Sequence, residues 1–125
     1  MRIPAVLTIL LCLMVPALAG SEKGYVEAWA AANAGKTHLR LPDGTRCDVV
    51  TATGAVEVVF APRWQDAVGQ SLYHATQLNK HPGIVLIMTG PKDAIYRQRL
   101  DTTITIFNLP IHVWEVGAGA AKPAP

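Results

Sequence analysis

The stretch RCDVVTATGAVEVVFAP, residues 46–62, decides which fold the sequence predicts. It holds two valine-rich runs, residues 46–51 and 55–60, which are joined by small turn residues ending at Gly54. Strand-forming runs that are separated by such a short turn are typical of a β-hairpin. Pro62 then favours the start of a helix, because the first helical turn does not need the missing N–H of proline. We therefore expect two antiparallel strands that lead directly into a helix.

Further elements on both sides extend this hairpin into an α+β domain. Before it, residues 38–41 alternate as a strand that ends in the turn 42–45. Helical spacing of apolar residues predicts a first helix over 21–34, capped by Ser21, and a long helix from Pro62 to about Asn79. The later elements are a buried strand over 84–88, a short helix over 92–100, a strand or extended link over 102–107 and a last strand over 111–116.

The predicted order is therefore αβββαβ, followed by a short helix and a last strand. Helices would flank a mixed central sheet. Neither of the common glycine-rich phosphate-binding motifs occurs in the sequence, which argues against a doubly wound nucleotide-binding fold.

Residues 1–19 have the pattern of a secretory signal peptide. Arg2 precedes an apolar run over 6–15, and Ala17-Leu18-Ala19 supplies the small residues of a cleavage site. We expect cleavage after Ala19 and export to the periplasm or the medium, with no stable membrane association afterwards. The alternative is an uncleaved membrane anchor. Residues 20–116 would then form a single domain, and the Gly-, Ala- and Pro-rich residues 117–125 a flexible tail.

Composition and charge exclude several classes of protein. The chain has 125 residues, 50% of them hydrophobic and 16% charged, with a formal net charge of +2. These values exclude two separate domains, a multi-span membrane protein and a disordered chain. No run of Lys or Arg indicates nucleic-acid binding by itself. Cys47 is the only cysteine outside the signal segment, so we expect no internal disulfide. Strand alternation predicts that it is a core thiol pointing away from Asp48.

Asp48 and Glu57 are the residues that could carry chemistry. Both are carboxylates in the middle of valine-rich strands, where a charge is costly unless something compensates it. If they share a face of the hairpin, a hard cation with oxygen ligands, Mg²⁺ above all, would let both stay ionised. Their carboxylates should then lie within about 4–7 Å, a span that one ion can bridge. The alternative is that both face solvent.

The element order, with Asp48 on one hairpin strand and Glu57-Val58-Val59 on the next, resembles the PD-(D/E)XK nuclease superfamily, which has the restriction-endonuclease-like fold. The resemblance implies that Asp48 and Glu57 hold Mg²⁺. It also implies that Gln70, on the following helix, orients water or a phosphate oxygen. A glutamate of the first helix would be an outer metal ligand, and position favours Glu27 over Glu22.

The sequence departs from the family pattern at one position. Val59 stands where the motif has its lysine, and Arg63 is the candidate for a basic group moved to the next helix. Arginine is always protonated, so Arg63 could stabilise charge but could not act as a base.

Three functional hypotheses follow from these residues. The first is an exported, Mg²⁺-dependent nuclease that hydrolyses DNA. The second is a member of the fold that has lost turnover and binds nucleic acid or a protein. The third is an exported structural domain without a site. The sequence gives no indication of the oligomeric state.

Overall fold

A computed structural model describes residues 20–121 and shows a five-stranded mixed sheet with helices on both faces. The strands are β1 (Lys36–Arg40), β2 (Arg46–Val50), β3 (Gly54–Phe60), β4 (His81–Ile87) and β5 (His112–Val116). The helices are α1 (Glu22–Ala32), α2 (Trp64–Leu78) and α3 (Ala94–Phe107). The predicted α+β class and the order αβββαβ, followed by a further helix and strand, are confirmed. The predicted signal segment lies outside the described residues, as do the last four residues of the predicted tail.

The strands occupy the sheet in the order in which they follow along the chain. β1, β2 and β3 are antiparallel neighbours, as the hairpin pattern predicts. β4 then pairs with β3 in parallel, and β5 pairs with β4 in parallel. Each parallel pair needs a crossover, which α2 and α3 supply.

Local sequence signals place the first two helices. The side chain of Ser21 caps α1 by accepting a hydrogen bond of 3.0 Å from the N–H of Gly24. A short 3₁₀ turn, Ala61–Arg63, carries Pro62 at its start and leads into α2. α2 ends at Asn79, which adopts a left-handed conformation with φ of 52°. No helix within residues 20–121 is both long and apolar enough to cross a membrane.

The interpretation of residues 102–107 as a strand or a link is wrong. They form the last two turns of α3, a helix of 14 residues. Its partly buried Tyr96 and Ile104 pack with Leu100, which is fully buried, against the sheet. These three residues recur at every fourth position and therefore lie on one face of a helix. Their packing outweighs the weak strand preference of the β-branched residues around them.

The two faces of the sheet bury different sets of side chains. α1 covers a cluster that consists of Val26, Trp29, Ala30, Val49, Val56, Val58, Val85 and Ile87. α2 and α3 cover the opposite face, where the buried apolar residues are Val59, Ala61, Ala67, Ile84, Leu86, Met88, Leu100 and Ile111. Cys47, Glu57 and His74 lie beside this second cluster, between α2 and the β2–β3 hairpin.

Candidate functional site

Asp48 lies where the regular pairing of β2 is interrupted. In the backbone pairing of β1 with β2, Val49 and Cys47 have partners on β1, but Asp48 between them has none. His38, the residue opposite in this register, has a φ of 51°. A non-glycine residue with positive φ does not fit the extended conformation of a strand. The backbone is therefore irregular at the position of the candidate carboxylate.

The side chain of Asp48 binds the backbone of β3. Its Oδ2 accepts a hydrogen bond of 2.9 Å from the N–H of Val58. The described pairs between β2 and β3 involve only Val49 and Val50 of β2. Asp48 thus connects the two strands through its side chain, which brings its carboxylate next to Glu57.

Glu57 is buried in the middle of β3, with 1% of its surface exposed. Its Oε1 lies 2.6 Å from Nδ1 of His74, which is 3% exposed and extends from α2. Asp48 is also adjacent, because both its charge and a side-chain hydrogen bond act on the Glu57 carboxyl group. The structure therefore brings the two predicted carboxylates together, and the alternative in which both face solvent is wrong for Glu57.

Burial sets the protonation of this cluster. Desolvation, followed by the charge of Asp48, raises the pKa of Glu57 to about 9. Desolvation lowers the pKa of His74 from its usual value. Both shifts favour neutral groups at pH 7. A neutral Glu57 can accept from the Nδ1–H of His74 and direct its own proton toward Asp48, which satisfies the three side chains together.

Cys47 joins the same cluster, so the prediction that it points away from the site is wrong. Its Sγ, a carboxylate oxygen of Glu57 and a ring nitrogen of His74 all lie within 4.8 Å of one another. The irregular backbone at Asp48 and His38 is the physical reason, because strict alternation holds only along a regularly paired strand. The second part of the prediction is confirmed: Cys47 is fully buried. Desolvation raises the pKa of its thiol to about 12.

The glutamate of α1 that approaches the cluster is Glu22 and not Glu27. Burial, followed by the charge of Asp48, raises the pKa of Glu22, while the charge of Arg63 lowers it. Glu27 instead points to solvent, with a side chain that is 54% exposed and 4.0 Å from Lys23. The two glutamates are five residues apart on the helix, so their side chains point in different directions. The order of residues along the sequence did not show which of them faces the cluster.

Arg63 and Gln70 lie at the surface beside the buried cluster. The guanidinium of Arg63 is held by Asp66 at 3.0 Å, and the side chain remains 63% exposed. Its charge reaches Glu22. Gln70 is exposed on α2, one turn before His74. The side chain that α2 directs onto Glu57 is therefore His74 and not Gln70.

A contact at the protein surface joins α2 to the β1–β2 turn. The hydroxyl of Tyr73 donates a hydrogen bond to Oδ2 of Asp43, and Thr45 donates to Oδ1. These hydrogen bonds, that of Tyr73 foremost, lower the pKa of Asp43 to about 2. The turn carrying Asp43 is thereby attached to the helix that carries His74.

A cleft lies elsewhere on the molecule. It has a volume of about 580 Å³ and is lined by aromatic and turn residues that include Trp29, Gly54, His81 and Trp114. These residues surround the first residues of β3, β4 and β5, and the lining includes none of Cys47, Asp48, Glu57 and His74, so the cleft is separate from that cluster.

The spacing of buried residues along α2 is the sequence signal that could have found His74. The buried residues of α2 are Ala67, Ser71, His74 and Ala75, which follow the spacing of one helical face. His74 belongs to this face, although it is polar, because Glu57 provides its partner. For Glu22 the sequence signal is its position, because it is the acidic residue in the first turn of α1.

Comparison with protein-family models, with curated proteins and with solved structures finds no match for this chain.

Proposed function

We propose that the protein is a Mg²⁺-dependent phosphodiester hydrolase that acts on DNA. The observation that supports this proposal is the neighbouring position of the Asp48 and Glu57 carboxyl groups at one irregular point of the sheet, with Glu22 of α1 within reach of the Asp48 charge. Asp48 of β2 acts electrostatically on Glu57 of β3 and on Glu22 of α1. Because residues 1–19 predict export, the substrate would be DNA outside the cytoplasm.

The donor atoms of this cluster fit a hard divalent cation. Asp48 and Glu57 offer carboxylate oxygens, which are the ligands that Mg²⁺ prefers, and Glu22 would be an outer carboxylate on the side of α1. When bound, the ion would supply an activated water molecule and would neutralise charge on the phosphate. The neutral state of Glu57 in the metal-free protein agrees with this assignment, because crowded carboxyl groups retain a proton until a cation replaces it.

Arg63 is the residue that would stabilise the scissile phosphate. It lies on the turn that follows β3, its guanidinium is largely exposed, and Asp66 fixes its orientation. A guanidinium can bind two phosphate oxygens at once and stays protonated at any physiological pH. Val59, at the position of the family lysine, is 6% exposed and packs in the core, so it contributes no charge.

A second candidate function is a binding module that has the same fold but no turnover. Two observations favour it. Val59 supplies no basic group on β3, and Glu57 already has a buried hydrogen-bond partner in His74. Such a protein would use Arg63 and its surroundings to hold a phosphate without cleaving its ester.

Cleavage of supercoiled plasmid and of single-stranded DNA, with Mg²⁺ or Mn²⁺, tests the proposal. We expect cleavage by the wild type and its loss in Asp48→Asn. Arg63→Ala should reduce the rate about 10²–10³-fold, as removal of a donor that stabilises developing charge commonly does. Glu22→Gln should reduce it as well. Glu27→Gln is the matched control, since it alters an exposed glutamate of the same helix.

The outcomes separate the candidate functions. Metal-dependent cleavage that persists in Asp48→Asn would contradict the proposed site. DNA binding without cleavage, weakened by Arg63→Ala, would favour the binding module. If the protein neither binds nor cleaves DNA, both candidate functions are wrong.

A further inference from the structure

Cys47, Glu57 and His74 form a second set of possible metal ligands. It contains sulfur and nitrogen as well as oxygen, unlike the carboxylates of the proposed Mg²⁺ site. Cys47, Glu57 and His74 come from β2, β3 and α2, and each is at most 3% exposed. One sulfur, one oxygen and one nitrogen ligand atom lie within 4.8 Å of one another. We propose that these three side chains form a binding site for a borderline-soft divalent ion of the Zn²⁺ class.

The separations suit a single ion. In tetrahedral zinc sites, metal–ligand bonds of about 2.0–2.3 Å place the ligand atoms about 3.3–3.8 Å apart. Atoms that already lie within 4.8 Å need only small side-chain adjustments to reach these distances. The fourth ligand of a tetrahedral site would be an oxygen of Asp48, whose charge acts on Glu57.

The mixed donor set determines which ions the site prefers. A thiolate and an imidazole favour Zn²⁺, Co²⁺ and similar ions, whereas Mg²⁺ takes oxygen ligands almost exclusively. The site would therefore discriminate against Mg²⁺ even though it shares Glu57 with the acidic cluster.

This site goes beyond the proposed hydrolase and does not require it. The thiol takes no part in the proposed hydrolysis, and Glu22 and Arg63 take no part in the thiolate site. Because Glu57 belongs to both ligand sets, a Zn²⁺-class ion and Mg²⁺ would compete for it.

Spectroscopic titration with Co²⁺ tests the proposal. The untagged, full-length chain, freed of metal by a chelator, is titrated with Co²⁺ under reducing conditions. We expect one Co²⁺ per chain, near-ultraviolet absorption from thiolate-to-cobalt charge transfer, and visible bands of tetrahedral intensity. Zn²⁺ at equimolar amounts should remove the signal, whereas millimolar Mg²⁺ should leave most of it.

Variants assign the signal to the three side chains. Cys47→Ser should abolish the charge-transfer band, and His74→Gln should weaken Co²⁺ binding at least about tenfold, since even second-sphere partners of a metal contribute that much. The matched control is His81→Gln, which alters an exposed histidine. Glu22→Gln should leave the Co²⁺ signal intact while it reduces DNA cleavage, so the two proposals can fail separately.

Several results would overturn the site. They are the absence of a thiolate band in the wild type, a band that survives Cys47→Ser, or equal loss of binding in His74→Gln and His81→Gln. If Cys47→Ser does not fold, the wild-type band and the comparison of the two histidine variants decide the question without it.

Discussion

The two faces of strand β3 bury side chains of different kinds. Toward α1, Val56 and Val58 join a cluster of apolar side chains. Toward α2, the residue between them is Glu57, which is equally buried but depends on His74 and Asp48 for its partners. One strand of seven residues therefore carries both a purely apolar face and a face that contains a carboxyl group.

The two faces of β3 differ in role, because apolar side chains stabilise the fold whereas Glu57 could take part in chemistry. Burial of apolar surface contributes free energy wherever shapes match, and it needs no specific partner. A buried carboxyl group loses hydration and is stable only with correctly placed hydrogen bonds or a cation. We therefore expect the apolar side chains of both faces to stabilise the fold independently of pH, and the Glu57 cluster of the α2 face to respond to pH, metal and loss of single partners.

The largest expected effect is the loss of a core side chain on the α1 face. Ile87→Ala, at a residue with no exposed surface, should lower the free energy of unfolding by about 2–5 kcal/mol, because the cavity left behind adds to the lost burial. Chemical denaturation measures the change. Ile106→Ala alters an isoleucine that is 69% exposed and should change stability by less than about 0.5 kcal/mol. Equal losses in the two variants would contradict the assignment of the core.

A smaller effect is expected when one partner on the α2 face is removed. His74→Leu leaves Glu57 without its 2.6 Å hydrogen bond and should cost about 1–3 kcal/mol. The double variant Glu57→Met/His74→Leu should recover most of this loss, since replacing both partners with apolar groups leaves nothing unsatisfied. Denaturation of the four proteins of this cycle gives the coupling energy. Additive losses would show that the two side chains do not interact.

The smallest effect is a slope against pH, measured in the presence of a chelator. Above pH 7 the unfolded chain has released the Glu57 proton, whose usual pKa is 4.5, while the folded protein keeps it until about pH 9. The wild type should therefore lose stability as pH rises from 7 to 8.5, by at most about 1.4 kcal/mol per pH unit. His74 contributes little above about pH 7.5, because its usual pKa of 6.5 leaves it mostly neutral in the unfolded chain and burial lowers the pKa further in the folded protein.

Glu57→Gln removes the titrating proton and should flatten this slope. Glu27→Gln, at an exposed carboxylate, should leave the slope unchanged. A slope that is identical in Glu57→Gln and in the wild type would show that Glu57 is ionised in the folded protein.

The sequence by itself determined the α+β class, the three-stranded antiparallel start and the first two helices. Valine runs around a short turn, a serine cap and a proline in a first turn are local signals, and each acts within a few residues. Residues 102–107 show the limit of such signals. Their β-branched side chains favoured a strand, yet packing of Leu100 and Ile104 against the sheet extends α3 to Phe107.

The sequence also identified Asp48 and Glu57 as a pair, because charged residues inside apolar strands are costly wherever they occur. Only the tertiary structure decided their neighbours. The interrupted pairing at Asp48 and His38 directs Cys47 toward Glu57, and the rotation of α2 presents His74 where Gln70 was expected. Alternation and helical spacing give the direction of a side chain relative to its own element, whereas contacts between elements depend on backbone irregularity and on how the elements are rotated against each other.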